Sequence, residues 1–205
     1  MASKLGERMQ NHLSSEIQQH RKPDYPIHPL ILNRWSSRAM SGEPLSDTEL
    51  FPLFEAARWA PSSYNAQPWR ILYVKRETTY WDRLYDLLVD ANKAWCTKAA
   101  VLGLFFSRTT FERNNKPSHT HDFDTGAAWE NLCLEGTSRD LVVHGMEGFD
   151  YVKAKLLIPN DHEVHAMFAI GKKAPKSSLP QDLQLKETPS TRKKISEFVF
   201  EGKIS

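Results

Sequence analysis

Apolar residues recur every three or four positions before Pro61, which is the spacing of one buried helix face: Leu50, Leu53, Phe54 and Ala57. Ser46 and Glu49 precede this stretch at the spacing of a capping box. Because proline lacks an N–H group and fixes φ, we predict that the helix ends just before Pro61.

The same spacing predicts three further helices. The first follows Thr78 and frays near residues 92–93, and the second is long and runs from about Phe123 to Arg139. The third begins at Phe149–Asp150 and ends at Pro159. The long helix has a broad apolar face, which suits the middle of the fold or a subunit interface.

Four apolar segments predict strands. Residues 70–75 suit a central strand, 99–107 a buried strand, 141–143 a short one and 165–171 a further clear one. Helices and strands mix without regular alternation of strand and crossover helix, and no internal repeat or linker is visible. The pattern therefore predicts an α+β fold.

The two ends of the chain differ from its middle. Residues 1–27 are polar, with weak helical spacing up to Leu13 and two proline breaks, which predicts a peripheral arm. Residues 28–205 are expected to form one domain. Its last part, from about 190 to 205, contains an apolar stretch at 195–200 that is too isolated to fold unaided, so we expect it to dock on a partner chain.

Composition excludes several functional classes. The chain has 205 residues, 40% hydrophobic and 25% charged, with a net charge of +2. No basic stripe favours a nucleic-acid partner, and the longest apolar run is shorter than the roughly 20 residues of a membrane helix. The start of the chain lacks the apolar core of a secretory signal. Cys96 and Cys133 have core-like neighbours, which favours two free thiols in a reducing cytoplasm.

A turn rich in small polar groups follows the first helix. It begins at Pro61 and extends to Gln67, and within it Ser62, Ser63 and Asn65 can bond the backbone or a ligand without bulk. An ordinary helix-to-strand connection is the alternative.

A second segment places cations and a hydroxyl at alternate positions. In an extended chain Arg34, Ser36 and Arg38 point to one side. Guanidinium groups form bidentate charge-assisted bonds to phosphate, so this arrangement suits a phosphate and its polyol chain. A solvated polar edge is the alternative.

The third segment, residues 144–150, reads His-Gly-Met-Glu-Gly-Phe-Asp and is predicted to turn from strand to helix. Glycine lets the main chain approach a neighbouring group closely. A plain turn with Asp150 at the positive end of the helix dipole is the alternative.

Taken in this order, over about residues 28–203, the three segments resemble those of the FMN-dependent, oxygen-insensitive nitroreductase family. The resemblance implies a three-layer sandwich with a mixed, mainly antiparallel central sheet flanked by helices, in an intertwined homodimer. Two FMN sites would lie at the dimer interface. One subunit would supply the loop of Ser62, Ser63 and Asn65, and the other would supply the Arg34–Arg38 segment and the Glu147–Gly148 turn.

The resemblance also implies a set of cofactor-binding residues: Arg34, Trp35, Ser36, Arg38, Pro61, Ser62, Ser63, Asn65, Gln67, Asn92, Met146, Glu147, Gly148, Lys172, Lys173 and Arg192. Arg38 is assigned as the catalytic cation that stabilises the reduced flavin anion, and neither a covalent nucleophile nor a metal is expected. Lys172 and Lys173 depart from the family pattern, so it stays open whether they or Arg192 hold the phosphate.

The implied reaction is ping-pong. NAD(P)H gives a hydride to flavin N5 and leaves, and a nitroaromatic, quinone or similar small oxidant is then reduced in the same place. A flavoprotein of the same fold with deiodinase or dehydrogenase chemistry, or a flavin-binding protein without turnover, is the alternative.

Two other chemistries have weaker support. A serine hydrolase built from Ser62, His144 and Asp150 lacks the Gly-x-Ser-x-Gly elbow. The histidine and carboxylate groups near residues 119–124 and 162–165 lack the His-Glu-x-x-His spacing of a metal site.

Overall fold

The computed structural model of the chain describes residues 12–204. The helical spacing predicted before Leu13 lies almost entirely outside this range. Two short helices come first, α1 (Ser15–His20) and α2 (Pro29–Asn33). The described part of the expected arm is attached to the domain, because Ile17 is buried and the Ser14 N–H donates to Asn33 Oδ1 at 3.0 Å.

Helix α3 (Asp47–Arg58) has the capping box that its sequence predicts, with the Ser46 N–H donating to Glu49 Oε2 at 2.9 Å. Its apolar face is fully buried at Leu50 and Leu53. The helix ends at Arg58, shortly before Pro61, as predicted.

Four strands form one sheet: β1 (Trp69–Lys75), β2 (Val101–Arg108), β3 (Leu141–Met146) and β4 (His162–Lys172). Their order is β1-β2-β4-β3 and each neighbouring pair is antiparallel. The prediction that residues 70–75 form a central strand is wrong, because β1 is at an edge of this sheet. Its side chains are partly covered by α3 instead, where the Phe54 and Tyr73 ring centroids are 5.1 Å apart.

Strand β3 is longer than predicted. His144, Gly145 and Met146 pair with Ala169, Phe168 and Met167 on β4, so the expected turn begins only at Glu147. The sequence pattern ended the strand before His144 because this residue is polar. In the structure its side chain is buried, and its Nδ1 lies 2.9 Å from the Ser37 carbonyl oxygen.

The single helix predicted after Thr78 is two helices, α4 (Trp81–Tyr85) and α5 (Asp90–Cys96). Between them the backbone turns to residues far along the chain: the Val89 N–H donates to Gly148 O, and Leu87 O accepts from the Asp150 N–H. Residues 92–93, expected to fray, are therefore helical. The long helix, α6 (His121–Ser138), agrees with its prediction.

The remaining helices are short. Helix α7 (Tyr151–Lys155) begins after Asp150, whose side chain accepts from the Lys153 N–H, and α8 (Gln181–Gln184) follows β4. Three 3₁₀ turns occupy Ser63–Asn65, Lys176–Ser178 and Ile195–Glu197. Within residues 12–204 no helix is long and apolar enough to cross a membrane.

Apolar residues cover both faces of the sheet, which confirms the α+β three-layer architecture. Alternate residues of a strand point to opposite faces. On one face Leu104 and Met167 pack with residues of α4, α5 and α7, and on the other Phe105 and Phe168 pack with residues of α3 and α6. Each face contains one of the cysteines, which are buried and unpaired, and burial raises the pKa of both thiols.

Candidate functional site

Two cavities adjoin at the segment that follows α2. The larger has a volume of about 530 Å³ and is called the cleft here, and the smaller has a volume of about 260 Å³ and is called the cationic pocket. Arg34 and Ser36 line both of them. A single elongated ligand could therefore occupy the two cavities at once.

Five basic side chains line the cationic pocket: Arg21, Arg34, Arg38, Lys186 and Arg192. Trp35, Ser36 and His144 also line it. The structure thus brings together Arg34, Ser36 and Arg38, as their alternate spacing predicts, and adds Arg192 from the C-terminal part of the chain. Such a concentration of guanidinium groups suits a phosphate or another anion.

Glu187 fixes the backbone of the Arg34–Arg38 segment. Its Oε1 accepts from the Ser37 hydroxyl at 2.6 Å, the Arg38 N–H at 2.7 Å and the Ala39 N–H at 3.1 Å. The carboxylate is 3% exposed, and its Oε2 lies 3.7 Å from Arg38 Nη1. Ser37 therefore points into the protein while its neighbours on either side face the pocket.

His144 forms part of the pocket wall in its neutral state. Burial lowers its pKa to about 4, although Nδ1 donates to the Ser37 carbonyl oxygen at 2.9 Å. The ring also lies against Trp95, with centroids 4.6 Å apart. The imidazole thus supports the Arg34–Arg38 segment without adding positive charge at neutral pH.

The low pKa of His144 predicts a pH-dependent loss of stability. Its pKa is about 4 in the folded chain and about 6.5 when unfolded, so the unfolded chain takes up a proton that the folded chain does not. The resulting loss in the free energy of unfolding is small above pH 6.5. It grows as the pH falls and approaches about 3 kcal/mol at pH 4. We expect His144→Gln, which keeps a donor but does not titrate, to lose less stability than the wild type between pH 7 and pH 4.5 in urea unfolding. Equal losses would contradict this origin.

Besides Arg34 and Ser36, four elements of the fold line the cleft. Helix α6 contributes Trp129 and Glu130, the end of β3 contributes residues 145–147, and α7 and β4 contribute Tyr151, His165 and Ala166. A Cβ on Gly145 would lie 2.8 Å from the Trp129 ring, so this glycine lets the indole lie against the strand. Glu130 faces the shared wall, with Oε1 3.5 Å from Arg34 Nε.

The buried hydroxyl of Ser107 lies between two histidines, His121 and His165, and His165 lines the cleft. Ser107 Oγ is 2.6 Å from His165 Nε2 and 2.7 Å from His121 Nδ1. A hydroxyl has one hydrogen, so it donates to one ring and accepts from the other. Burial lowers the pKa of His165, which keeps the cleft-facing imidazole neutral at pH 7.

The loop after Pro61 has an unusual backbone. Tyr64, Asn65 and Gln67 have φ angles of 53°, 54° and 46°. Such conformations cost about 1 kcal/mol or more each and persist only where surrounding contacts impose them. Here the Ser63 N–H donates to Asp124 Oδ2 at 3.1 Å, and the Gln67 N–H donates to Ser62 Oγ at 3.0 Å. This loop lines neither cavity within the described chain.

Asn92 lies against the Glu147–Gly148 turn. Its Nδ2 donates to Gly148 O at 3.0 Å, and a Cβ on Gly148 would lie 2.8 Å from that nitrogen. The absence of a Cβ at Gly148 thus leaves room for the Asn92 side chain. Met146 and Glu147 line the cleft, whereas Gly148 and Asn92 do not.

The lysine pair at the end of β4 faces carboxylates outside both cavities. Lys172 Nζ is 3.3 Å from Glu43 Oε2 and 3.4 Å from Glu49 Oε1, and Lys173 Nζ is 3.6 Å from Glu16 Oε2. Arg192, by contrast, lines the cationic pocket. Of the three basic residues left open by the sequence, only Arg192 lines the cationic pocket in the described part of the chain.

Sequence reasoning missed about half of the lining residues. Those of the pocket are Arg21, Lys186, Thr188 and Ser190, and those of the cleft are Trp129, Glu130, Tyr151, His165 and Ala166. They come from polar segments or amphipathic faces that no local pattern distinguishes.

The two weaker chemistries find no assembled site. Ser62 Oγ accepts from the Gln67 N–H, whereas His144 lies in the cationic pocket, which neither Ser62 nor Asp150 lines. Asp124 is engaged by the Ser63 N–H. Across residues 12–204, no three His, Cys, Asp or Glu side chains are grouped so that they could hold a metal ion.

Comparison with known proteins identifies relatives of this chain. The model of the nitroreductase family matches residues 31–95, which contain the Arg34–Arg38 segment and the loop after Pro61. A curated protein of Streptomyces coelicolor, described as an NADH dehydrogenase/NAD(P)H nitroreductase, is 32% identical over 75 residues. That match spans 37% of this chain and 37% of the relative.

Solved structures extend the similarity to nearly the whole chain. An oxidoreductase containing FMN is 39% identical with a TM-score of 0.84, over 90% of this chain and 96% of its own. A nitroreductase in complex with FMN from Desulfovibrio desulfuricans has the same fold, at 23% identity and a TM-score of 0.66 over 94% and 99% of the two chains. The sequence motifs and the fold of this chain, together with these relatives, show that it belongs to the nitroreductase family.

Proposed function

We propose that the chain is an FMN-dependent oxidoreductase that takes reducing equivalents from NAD(P)H and passes them to a small nitroaromatic, quinone or similar oxidant. The observation that carries the proposal is the cationic pocket adjoining the cleft through Arg34 and Ser36. FMN has a phosphate at one end, a planar ring at the other and a polyol chain between them. The two cavities and their shared wall offer a matching environment for each part.

The charges of the pocket support an anionic occupant. Arg21 Nη2 is buried and has no hydrogen-bond partner among the described residues. The pKa of Arg21 is lowered to about 10 by burial and by repulsion from Arg192 and Arg34. Because a buried donor without a partner is costly and neighbouring cations repel one another, a bound phosphate would stabilise this arrangement.

We assign the residues as follows. Arg34, Arg38 and Arg192 hold the phosphate end, the Ser36 hydroxyl faces the polyol, and the ring lies in the cleft beside residues 145–147. FMN, when bound, supplies the two-electron chemistry that joins NAD(P)H to the oxidant. That Arg38 offsets negative charge on the reduced cofactor stays a prediction from the resemblance, because Arg38 lines the cationic pocket and not the cleft in which we place the ring.

We further propose that the loop of Ser62, Ser63 and Asn65 completes the site of a second subunit. Two features support a homodimer: the loop lines neither cavity of its own chain, and apolar side chains of the tail are exposed. Phe198 is 60% and Val199 58% exposed. Light scattering should report twice the mass of one 23.6 kDa chain, and a monomer under all conditions would contradict this arrangement.

The two unpaired cysteines, Cys96 and Cys133, fit a reducing compartment, and we place the protein in the cytoplasm on that ground.

One experiment tests the proposed reaction. We expect purified protein reconstituted with FMN to show the flavin absorbance bands, to lose them when NADH or NADPH is added without oxygen, and to regain them when a quinone or nitroaromatic is added. If FMN binds but neither nicotinamide bleaches it, the protein is a flavoprotein with other chemistry or a flavin-binding protein. If FMN does not bind, the proposal fails altogether.

A further inference from the structure

The guanidinium group of Arg21 joins three parts of the chain. Arg21 follows α1 in the part of the arm that the structure describes, residues 12–27. Its Nη1 donates to Leu32 O at 2.6 Å and to Arg34 O at 2.7 Å, beside the motif that lines both cavities. Its Nε donates to Ser190 O at 3.1 Å, two residues before Arg192.

A second contact connects the same two ends of the chain. The Ile195 N–H donates to Asp24 Oδ2 at 3.2 Å. Arg192 is held locally, with Nη1 2.8 Å from Ser190 Oγ and 2.9 Å from Thr191 O. The arm and the segment 188–197 therefore meet at the cationic pocket, and Arg21 lies at their junction.

Within residues 12–204, Arg21 has hydrogen bonds but no carboxylate within salt-bridge distance. Each of its hydrogen-bond partners is a neutral carbonyl oxygen, and Nη2 has no partner in that range. The charged groups that shift its pKa most are two further cations, Arg192 and Arg34. Two carboxylates near the pocket pair with other arginines: Glu187 Oε2 lies 3.7 Å from Arg38 Nη1, and Glu130 Oε1 lies 3.5 Å from Arg34 Nε. A bound anion could therefore balance the charge of Arg21.

We propose that Arg21 supplies part of the positive charge that holds a phosphate monoester in the cationic pocket, and that the bound phosphate fastens the N-terminal arm to segment 188–197. This inference rests on the proposed function only for the identity of the phosphate as that of FMN. The N-terminal arm would then contribute to cofactor binding through Arg21.

The test compares two ligands that differ only in the phosphate. We expect Arg21→Gln to weaken FMN binding about 10-fold, the loss of roughly one favourable charge interaction, and to leave riboflavin binding within about twofold. Arg21→Lys keeps the charge and should keep most of the difference between the two ligands. Lys22→Gln, an exposed neighbour on the same arm, is the matched control and should bind FMN as the wild type does.

Hydrogen–deuterium exchange gives a readout independent of activity. We expect inorganic phosphate or FMN to slow amide exchange in residues 12–27 and 188–197 of the wild type and to have little effect in Arg21→Gln. Unchanged FMN affinity in Arg21→Gln, or equal losses for FMN and riboflavin, would overturn the proposal, since the second result means a purely structural role. If FMN does not bind the wild type but phosphate slows exchange only when Arg21 is present, the proposed function fails and this inference holds.

Discussion

Replacing Arg34 with glutamine is expected to weaken FMN binding about 100-fold, because the lost charge-assisted hydrogen bonds to phosphate are worth about 3 kcal/mol in a largely desolvated site. Arg34 lines both cavities, and only 17% of its side chain is exposed. Its backbone is held by Arg21 through the carbonyl oxygen, so the substitution removes the cation without releasing the segment. Fluorescence titration of the apoprotein measures the change.

A matched variant controls for this result. Arg58→Gln removes an exposed arginine of α3 that lines neither cavity. It should bind FMN within about threefold of the wild type, since exposed ion pairs such as that of Arg58 with Glu55 contribute little. An Arg34→Gln protein that binds FMN as tightly as this control would show that the anion binds elsewhere.

The largest expected effect on stability is that of Gly103→Ala. Gly103 pairs with Phe168 across β2 and β4, and the phenyl ring lies directly over the glycine. A Cβ would lie 2.0 Å from Phe168 Cζ, within a core where both that ring and its neighbours are fully buried. Because the ring cannot move without displacing the core, we expect a loss of about 3 kcal/mol or more, at the upper end of overpacking costs.

Urea unfolding measures this loss, and the chain offers a control for the glycine-to-alanine change itself. A Cβ on Gly126 of α6 meets no atom within 4 Å, so Gly126→Ala should stabilise the protein by up to about 1 kcal/mol through helix propensity. Combining Gly103→Ala with Phe168→Leu should recover part of the loss. If Gly103→Ala unfolds at the same urea concentration as the wild type, the ring does not occupy this position.

The sequence predicted features whose signals are local. The spacing of Leu50 to Ala57 located α3, and the alternation of Arg34, Ser36 and Arg38 placed them on one pocket. The sequence also located α6, because its helical spacing extends over 18 residues.

Features set by distant contacts could not be predicted in this way. The break between α4 and α5 depends on hydrogen bonds to residues 148–150, and the end of β3 depends on burying the polar His144 under Ser37. Arg21 and Glu187 shape the pocket through partners that are distant in the sequence. Arg21 is 169 residues from Ser190, and Glu187 is 150 residues from Ser37. No local pattern reports such a pairing.

A side-by-side titration of the wild-type apoprotein with FMN and with riboflavin tests the central claim, that the cationic pocket holds a phosphate while the cleft holds the attached ring. We expect both ligands to bind and FMN to bind about 100-fold or more tightly than riboflavin, because several guanidinium groups face the phosphate. Equal affinity for the two ligands, or binding of neither, would contradict it.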